Sequence, residues 1–390
     1  MTPIHNIPTY STVQFIDRQD EIRRINELVR QKQSGEAETT QALAVRCERG
    51  SGKTWFSMHL KRSALSGLKK VKTLLICLAQ PQENTQTMPN EWVPPTPDFQ
   101  EDQLVRLVSW VADALGARYA DNPDPSELRH WIAKKVSQMD ADHLLVVILD
   151  SLYDADPVLQ KRIEEELFAP LLENRNVLLV LTGRGTPFNW TFEALGPNAV
   201  PLELKPFSSE FAQEQIEKLR DVIKPDGERY SLEEILTIAN GYPIVIALLT
   251  RGDELETVVE VLLSPLENEM QRRMLEALSP LKQFREKEML VLLKAGGVIP
   301  EDKAENYVYE QVRDPLIRSS LMKKQGGYIY LDENVRHVLC EYLRRCDPER
   351  WRKLNWAAYE LYTKWAADPK FRAQCDYYTD LAATHKKECE

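Results

Sequence analysis

The sequence lacks the features that several large classes of protein require. Its six cysteines form no CxxC pair and no cysteine–histidine cluster with zinc spacing, which favours reduced thiols in a cytoplasmic protein. The longest strongly apolar run is LLVVIL, residues 144–149, whereas a membrane-spanning helix needs roughly 20 apolar residues. The N-terminus, MTPIHNIPTY, has no basic region followed by an apolar one, so we expect no secretion signal and no membrane association.

The sequence also lacks an excess of positive charge, since 50 Lys and Arg stand against 60 Asp and Glu. The formal net charge is -10, which argues against a protein that coats nucleic acid broadly, although a small local basic patch remains compatible with it. Hydrophobic residues make up 43% of the chain, enough for packed cores. A length of 390 residues predicts two to three domains.

Up to about Phe207, short apolar runs alternate with segments of helical periodicity, which predicts a parallel α/β sheet. The runs predicted to be strands are 41–47, 70–79, 143–150, 176–184 and 199–207. The segments predicted to be helical are 14–32, 52–65, 102–119, 126–139 and 156–173. Between the second strand and the next helix, residues 80–100 contain five prolines, which favours a loop or lid.

Beyond Phe207 the pattern becomes helical. Residues 322–332, MKKQGGYIYLD, interrupt it and predict a β-hairpin that turns at Gly326 and Gly327. Helix, hairpin and helix in that order suggest a winged helix. We therefore predict an α/β domain with a parallel sheet (1–206), a small helical, lid-like domain (207–265), a winged-helix domain (266–346) and C-terminal helices (347–390).

The stretch CERGSGKTW, residues 47–55, has the form of a nucleotide phosphate-binding loop between a predicted strand and a predicted helix. Glycines permit the tight turn, backbone N–H groups point at the phosphates, and the helix N-terminus adds positive potential. Lys53 is predicted to reach the β- and γ-phosphates, and the Thr54 hydroxyl to hold Mg²⁺. The residues of this loop that we expect to contact ATP or ADP are Arg49, Gly50, Ser51, Gly52, Lys53, Thr54 and Trp55.

Cys47 stands where the pattern G-x-x-x-x-G-K-[ST] has its first glycine. If that position requires a positive φ, a cysteine there is strained by about 1–3 kcal/mol. Such strain would weaken nucleotide binding without abolishing it, because Lys53 and Thr54 remain.

Three further segments carry residues suited to the same chemistry. Asp150 ends the apolar run before SLYDAD, and its carboxylate suits Mg²⁺. Asp154 lies where it could polarise an attacking water, although a helix cap at Asp154 or Asp156 is an adequate alternative. Arg184 ends the next strand, either facing the γ-phosphate or lying on the surface. In NGYP, Pro243 suits the first turn of a helix and needs no other role.

Taken together, these segments resemble the STAND class of P-loop NTPases, which includes the NB-ARC and NACHT signalling ATPases and is related to AAA+. FIDRQDEIRRI resembles the N-terminal F-x-G-R-x-x-E element, with Asp17 in place of Gly and Arg18 retained. VVILDSLYD resembles the h-h-h-h-D-x-h-D-E strand, with Tyr153 and Asp154 in place of the usual Asp-Glu pair.

LTGR resembles the sensor strand that ends in arginine. Two other matches are weaker taken alone: GYPIVIALL resembles the G-x-P motif, and YIYLDENVR resembles the Met-His-Asp region of the winged helix. In YIYLDENVR, Leu331, Asp332 and Glu333 occupy the Met-His-Asp positions of the winged helix, so the nucleotide-sensing histidine is absent. The resemblance implies that Arg18 and Pro243 contact the nucleotide.

The resemblance implies an ATP-driven switch that oligomerises or engages effector and sensor proteins. The replacements at 47, 153 and 332 imply slow hydrolysis, with Lys53, Asp150, Asp154 and Arg184 as the catalytic set. One alternative is an origin-binding or transposition-type AAA+ ATPase with a DNA-binding winged helix. However, residues 284–346 hold 11 Lys/Arg against 10 Asp/Glu, so nucleic acid is possible but not favoured. The other alternative is a scaffold that binds nucleotide without hydrolysing it.

Overall fold

A computed structural model of the chain describes residues 11, 15–35, 42–77, 97–116, 124–139, 143–152, 157–184, 199–223, 229–264, 266, 268–300, 302, 316 and 321–390. These residues form two compact units, divided between Pro206 and Phe207. We call them the N-terminal unit and the C-terminal unit.

The N-terminal unit contains a five-stranded parallel sheet. Its strands are β1 (Ala42–Cys47), β2 (Val71–Cys77), β3 (Leu144–Asp150), β4 (Val177–Arg184) and β5 (Ala199–Leu204). They are ordered β2-β3-β4-β1-β5 across the sheet, and every pair is parallel. The five strand predictions are confirmed. All seven residues of β3 are buried, because the sheet is covered on both faces.

In the described part of this unit, six helices pack on the sheet in two layers. They are α1 (Gln19–Ser34), α2 (Lys53–His59), α3 (Pro97–Ala114), α4 (Pro125–Ser137), α5 (Pro157–Ile163) and α6 (Ala169–Leu172). Alternate strand residues belong to separate cores: Val146 and Ile148 pack with α1 and α2, whereas Leu145 and Val147 pack with α3 to α6. A π-helical turn extends α2 over residues 60–64, and another joins α5 to α6 over 164–168.

One prediction in this unit is wrong at its edge. The loop expected over residues 80–100 gives way to α3 at Pro97. Proline is compatible with the first turn of a helix, where its missing N–H leaves no intrahelical bond unmade. The rest of that stretch, residues 78–96, lies outside the described residues.

The C-terminal unit is mainly helical. Its helices are α7 (Ser209–Ile223), α8 (Leu232–Ala239), α9 (Pro243–Arg251), α10 (Leu255–Leu262), α11 (Glu269–Leu278), α12 (Glu286–Ala295), α13 (Glu333–Cys346), α14 (Pro348–Ala367) and α15 (Cys375–Lys387). One hydrophobic core runs through the unit from Ala212 to Ala382. In the part of the chain that the structure describes, no helix combines the length and the apolar character needed to cross a bilayer.

The predicted hairpin is confirmed. Its strands are β6 (Met322–Gln325) and β7 (Tyr328–Leu331), and Gly326 and Gly327 both have positive φ at the turn. Phe284 pairs with Ile329 on the other side of β7. Asp332 is buried and caps α13 by accepting from the Val335 N–H at 3.1 Å. The structure therefore gives Asp332 a capping role at the position aligned with the sensing histidine.

A buried histidine joins the last two helices. Asn355 donates its Nδ2–H to the Trp351 carbonyl at 3.0 Å, so its Oδ1 faces His385 Nδ1 at 2.7 Å as an acceptor. His385 Nδ1 must therefore carry the proton. The imidazole also stacks on Tyr362, with 5.6 Å between the ring centroids. Burial lowers the pKa of His385 to about 4.

This histidine predicts a loss of stability in mild acid. The unfolded chain binds a proton near pH 6.5 and the folded chain only near its lowered pKa of about 4, so stability falls as pH drops between those values. Between pH 7 and pH 5 we expect His385 to cost about 2 kcal/mol. Urea unfolding of wild type and His385→Gln at pH 7 and at pH 5 measures this loss of stability. The contributions of the other titrating groups cancel in the difference between the two proteins. Equal losses in the two proteins would contradict it.

Candidate nucleotide site

The predicted phosphate loop lies at the carboxyl edge of the sheet. β1 ends at Cys47, and α2 begins at Lys53. Between them Gly50 and Gly52 both have φ +84°, a conformation that glycine adopts readily. Ser51 Oγ donates to the Glu48 carbonyl at 2.8 Å, which tightens the turn. The segment is therefore a strand–turn–helix connection with the backbone that anion binding requires.

The strain considered for Cys47 does not arise. The described non-glycine residues with positive φ are Asp17, Arg18, Lys70, Ser151 and Asn240. Cys47 is instead the last residue of β1, buried, and its Sγ–H donates to the Gly183 carbonyl at 3.6 Å. The turn takes its positive φ at Gly50 and Gly52, two positions where glycine is present.

Asp150 is the centre of the hydrogen-bonded site. It ends β3 and is only 1% exposed. Its Oδ1 accepts from Thr182 Oγ1 at 2.6 Å and from Ser57 Oγ at 3.1 Å. Its Oδ2 accepts from Thr54 Oγ1 at 2.8 Å. Three hydroxyls from α2 and β4 thus fix one buried carboxylate beside the first turn of the phosphate-loop helix.

This donor set fits a magnesium ion. Mg²⁺ prefers oxygen ligands and usually binds through one or two protein groups, several waters and substrate phosphates. Thr54 and Asp150 present a hydroxyl and a carboxylate within hydrogen-bond distance of each other. Among the residues that the structure describes, no group of three or more His, Cys, Asp or Glu could form an all-protein metal cage. The site therefore fits a metal held jointly by protein and phosphate.

The segment before α1 lies against the phosphate loop. Arg18 is buried, and its Nη2–H donates to the Ser51 carbonyl at 3.1 Å. Glu21 pairs with the same guanidinium at 3.5 Å, and burial lowers the pKa of Arg18. Phe15 stacks on His59, the last residue of α2, with centroids 3.8 Å apart. Arg18 therefore supports the shape of the loop through a backbone carbonyl.

The remaining predicted residues are placed as follows. Lys53 and Trp55 are half-buried in the first turn of α2, and Arg49 is half-buried in the turn before it. Arg184 ends β4 directly opposite Cys47 in register, so it lies beside the start of the phosphate loop. Asp154 lies outside the described residues.

Pro243 belongs to the C-terminal unit. It is the first residue of α9, and its carbonyl accepts from Gln215 Nε2 at 3.1 Å. The structure thus confirms the helix start predicted from its sequence, and that role accounts for the proline.

Sequence reasoning missed Ser57 and Thr182. Both are fully buried and both donate to Asp150. Thr182 Oγ1 also accepts from the N–H of Ser151, which has a left-handed backbone with φ 69°. The sequence does contain one signal for Thr182, which is the single hydroxyl residue in the buried run VLLVLTGR. Because a buried polar group needs a hydrogen-bond partner, this hydroxyl could have been predicted to bond to another polar group.

No protein-family model matches the sequence, and no curated protein matches it. Solved structures do match the fold. A Walker-type ATPase of Pyrococcus abyssi aligns with 85% of this chain and 98% of its own, at 14% identity and a TM-score of 0.54. The ORC1 protein of Aeropyrum pernix in complex with DNA aligns with 84% and 93%, at 17% identity and a TM-score of 0.41.

A third similar structure is a STAND protein with a tetratricopeptide repeat sensor from Pyrococcus horikoshii. It aligns with 98% of this chain and 50% of its own, at 14% identity and a TM-score of 0.36. The match to the Walker-type ATPase extends along most of both chains. With the five-stranded parallel sheet and the loop at residues 47–55, it shows that this chain has the P-loop NTPase fold followed by a helical region.

Proposed function

We propose that this protein is an ATP-binding signal-transduction NTPase of the STAND type. In this proposal ATP and ADP with Mg²⁺ occupy the loop of residues 49–55 and favour different assembly states. Binding of ATP promotes a homo-oligomer or the recruitment of effector and sensor proteins, and hydrolysis is slow. The observation that carries the proposal is the 2.8 Å hydrogen bond from Thr54 to the buried Asp150 carboxylate at the start of the phosphate-loop helix.

The proposed roles of Lys53, Thr54, Asp150 and Arg184 are supported by their positions. Lys53, first in α2, neutralises the β- and γ-phosphates, and Thr54 and Asp150 hold the metal. The position of Arg184 beside Cys47 supports a role in reporting the γ-phosphate. Asp154 as a water-orienting group and Pro243 as a nucleotide contact rest on the sequence resemblance. Bound Mg²⁺ would supply charge neutralisation to the phosphates, and Thr54 and Asp150 would orient it.

The domain organisation and location belong to the same proposal. We keep the boundaries 1–206, 207–265, 266–346 and 347–390, with a winged helix in the third segment. The hairpin that follows Leu321 and precedes α13 supports that assignment. We also propose a cytoplasmic location. The five cysteines whose side chains are described are thiols, which is typical of a reducing compartment.

Size measurement of the purified chain with ATP and with ADP tests the switch. We expect Mg²⁺–ATP to shift the chain to a larger species and Mg²⁺–ADP to leave it unchanged, with Lys53→Ala insensitive to both. Turnover of radiolabelled ATP, measured in parallel, is expected to be slow but above that of Lys53→Ala.

The two alternatives have distinct outcomes. Equal stabilisation by both nucleotides with no change in size would contradict the switch and favour a nucleotide-bound scaffold. A size change that requires DNA would favour the DNA-binding AAA+ ATPase.

A further inference from the structure

Two consecutive residues before α1 have a backbone conformation that is uncommon for residues with a side chain. Asp17 has φ 58° and Arg18 has φ 72°, both in the left-handed region. Such residues persist only where the surrounding structure imposes the conformation, and they are frequent beside functional sites. The contacts made by this segment are therefore a guide to what it does.

Residues 15–18, which we call the strap, contact the phosphate-loop segment at two places. Phe15 stacks on His59, the last residue of α2, with 3.8 Å between the ring centroids. Arg18 reaches the turn before α2, where its Nη2–H donates to the Ser51 carbonyl at 3.1 Å. Both partners of this bond are buried, Arg18 at 4% and Ser51 at 2% exposure. The strap thus holds α2 at its last residue and the loop just before its first.

The two peptide groups around Ser51 are each held by a hydrogen bond. The Ser51 N–H donates to the Glu48 carbonyl at 3.3 Å, and the Ser51 carbonyl accepts from Arg18. Because a trans peptide group is planar, the Ser51 C=O and the Gly52 N–H point in opposite directions. The bond from Arg18 therefore directs the Gly52 N–H away from the strap, at the position that precedes the first residue of α2.

The positive charge of Arg18 is offset by acids close to it. Glu21 lies 3.5 Å from the guanidinium, and Asp17 adds a second favourable charge interaction. What the guanidinium contributes to the loop is therefore mainly the direction of a peptide group. A charged donor suits this task, because its hydrogen bonds are stronger than those of a neutral donor.

We propose that Arg18 is a positioning residue for the phosphates of the bound nucleotide. It fixes the Ser51–Gly52 peptide so that the Gly52 N–H faces the phosphate chain, and it makes no contact with the base. The inference rests on the proposed function, since it takes residues 49–55 to be occupied by a nucleotide. It deepens that function by naming the ligand class on which Arg18 acts, which is a polyphosphate chain whatever base it carries.

Isothermal titration calorimetry with Mg²⁺–ATP and with Mg²⁺–tripolyphosphate tests this role, because tripolyphosphate has the phosphate chain without a base. The glutamine in Arg18→Gln is too short to replace the guanidinium at the Ser51 carbonyl. We expect affinity at least about tenfold lower in this variant, by the same factor for both ligands. The matched control is Arg23→Gln, which removes one positive charge from the exposed side of α1 and should bind both ligands like wild type.

Thermal unfolding verifies that each variant is folded, so that a loss of affinity is separated from a loss of stability. A loss for ATP alone would overturn the proposal in favour of a base contact. Unchanged affinity for both ligands in folded Arg18→Gln would also overturn it. If Arg18→Gln does not fold, Arg18→Lys keeps the cation that pairs with Glu21 and should show a smaller loss, again equal for both ligands.

The behaviour of the wild-type protein separates this inference from the proposed function. Failure of folded wild type to bind either ligand would contradict the nucleotide site itself, and the role of Arg18 with it. Normal binding by wild type with no equal loss in the Arg18 variants would overturn the positioning role alone.

Discussion

Replacement of Gly241 by alanine is expected to lower the stability of the C-terminal unit by about 3–5 kcal/mol, the largest effect of any single methyl group that we predict. Gly241 has φ +78°, and a Cβ there would overlap the carbonyl oxygen of Phe207 and lie 3.0 Å from its nitrogen. The Phe207 N–H donates to the Gly241 carbonyl at 2.8 Å, so neither backbone segment can withdraw without losing a hydrogen bond.

Gly252 is the matched control. It has φ +90° at the end of α9, and a Cβ there would meet no atom within 4 Å. Gly252→Ala therefore carries only the backbone penalty of about 1–2 kcal/mol. Hydrogen exchange read by mass spectrometry in the intact chain reports the two units separately. Equal protection of α8 and α9 in the two variants would contradict the steric argument, and a failure of Gly241→Ala alone to fold would support it.

The second large effect is expected at Asp150. Asp150→Asn removes the negative charge that we propose faces the metal, while preserving the shape of the side chain. An asparagine Oδ1 can still accept from Ser57 and Thr182, the two donors that Oδ1 serves now. Thr54, which now donates to Oδ2, can accept instead. We therefore expect a folded protein whose half-saturating Mg²⁺ for ATP binding rises at least about tenfold.

Titration of ATP with and without EDTA separates this effect from misfolding. In Asp150→Asn, ATP binding without metal should match wild type, and the increase produced by Mg²⁺ should largely disappear. Thr182→Ser keeps the hydroxyl that positions Asp150 and should behave like wild type, whereas Thr182→Val should show a smaller loss of the Mg²⁺ effect. An unchanged Mg²⁺ dependence in Asp150→Asn would contradict the assignment of the metal site.

The sequence predicts the central strands well because β1, β3 and β4 are buried on both faces. A continuous apolar run such as residues 144–149 has few other interpretations when helices flank it. The phosphate loop is equally readable, since Gly50 and Gly52 stand where positive φ is needed. Asp150 follows from its place at the end of such a run.

Other features depend on contacts between distant segments. The bond from Arg18 to the Ser51 carbonyl joins residues 33 apart, and the bond from Thr182 to Asp150 joins residues 32 apart. Neither pair has a local pattern to reveal it.

The strain considered at Cys47 shows a different limit. The pattern marks that position with glycine, but here the chain is still in β1 at residue 47, where a side chain is accommodated without positive φ. The glycine requirement of a motif thus applies only where the backbone turns.

Isothermal titration calorimetry of Mg²⁺–ATP into the folded chain tests the central claim most directly. We predict a single saturable site in wild type, with affinity at least about 100-fold lower in Lys53→Ala, because the β- and γ-phosphates lose their cation. Absence of heat from both adenine and guanine nucleotides with Mg²⁺, on protein shown to be folded, would contradict the nucleotide site and the switch built on it.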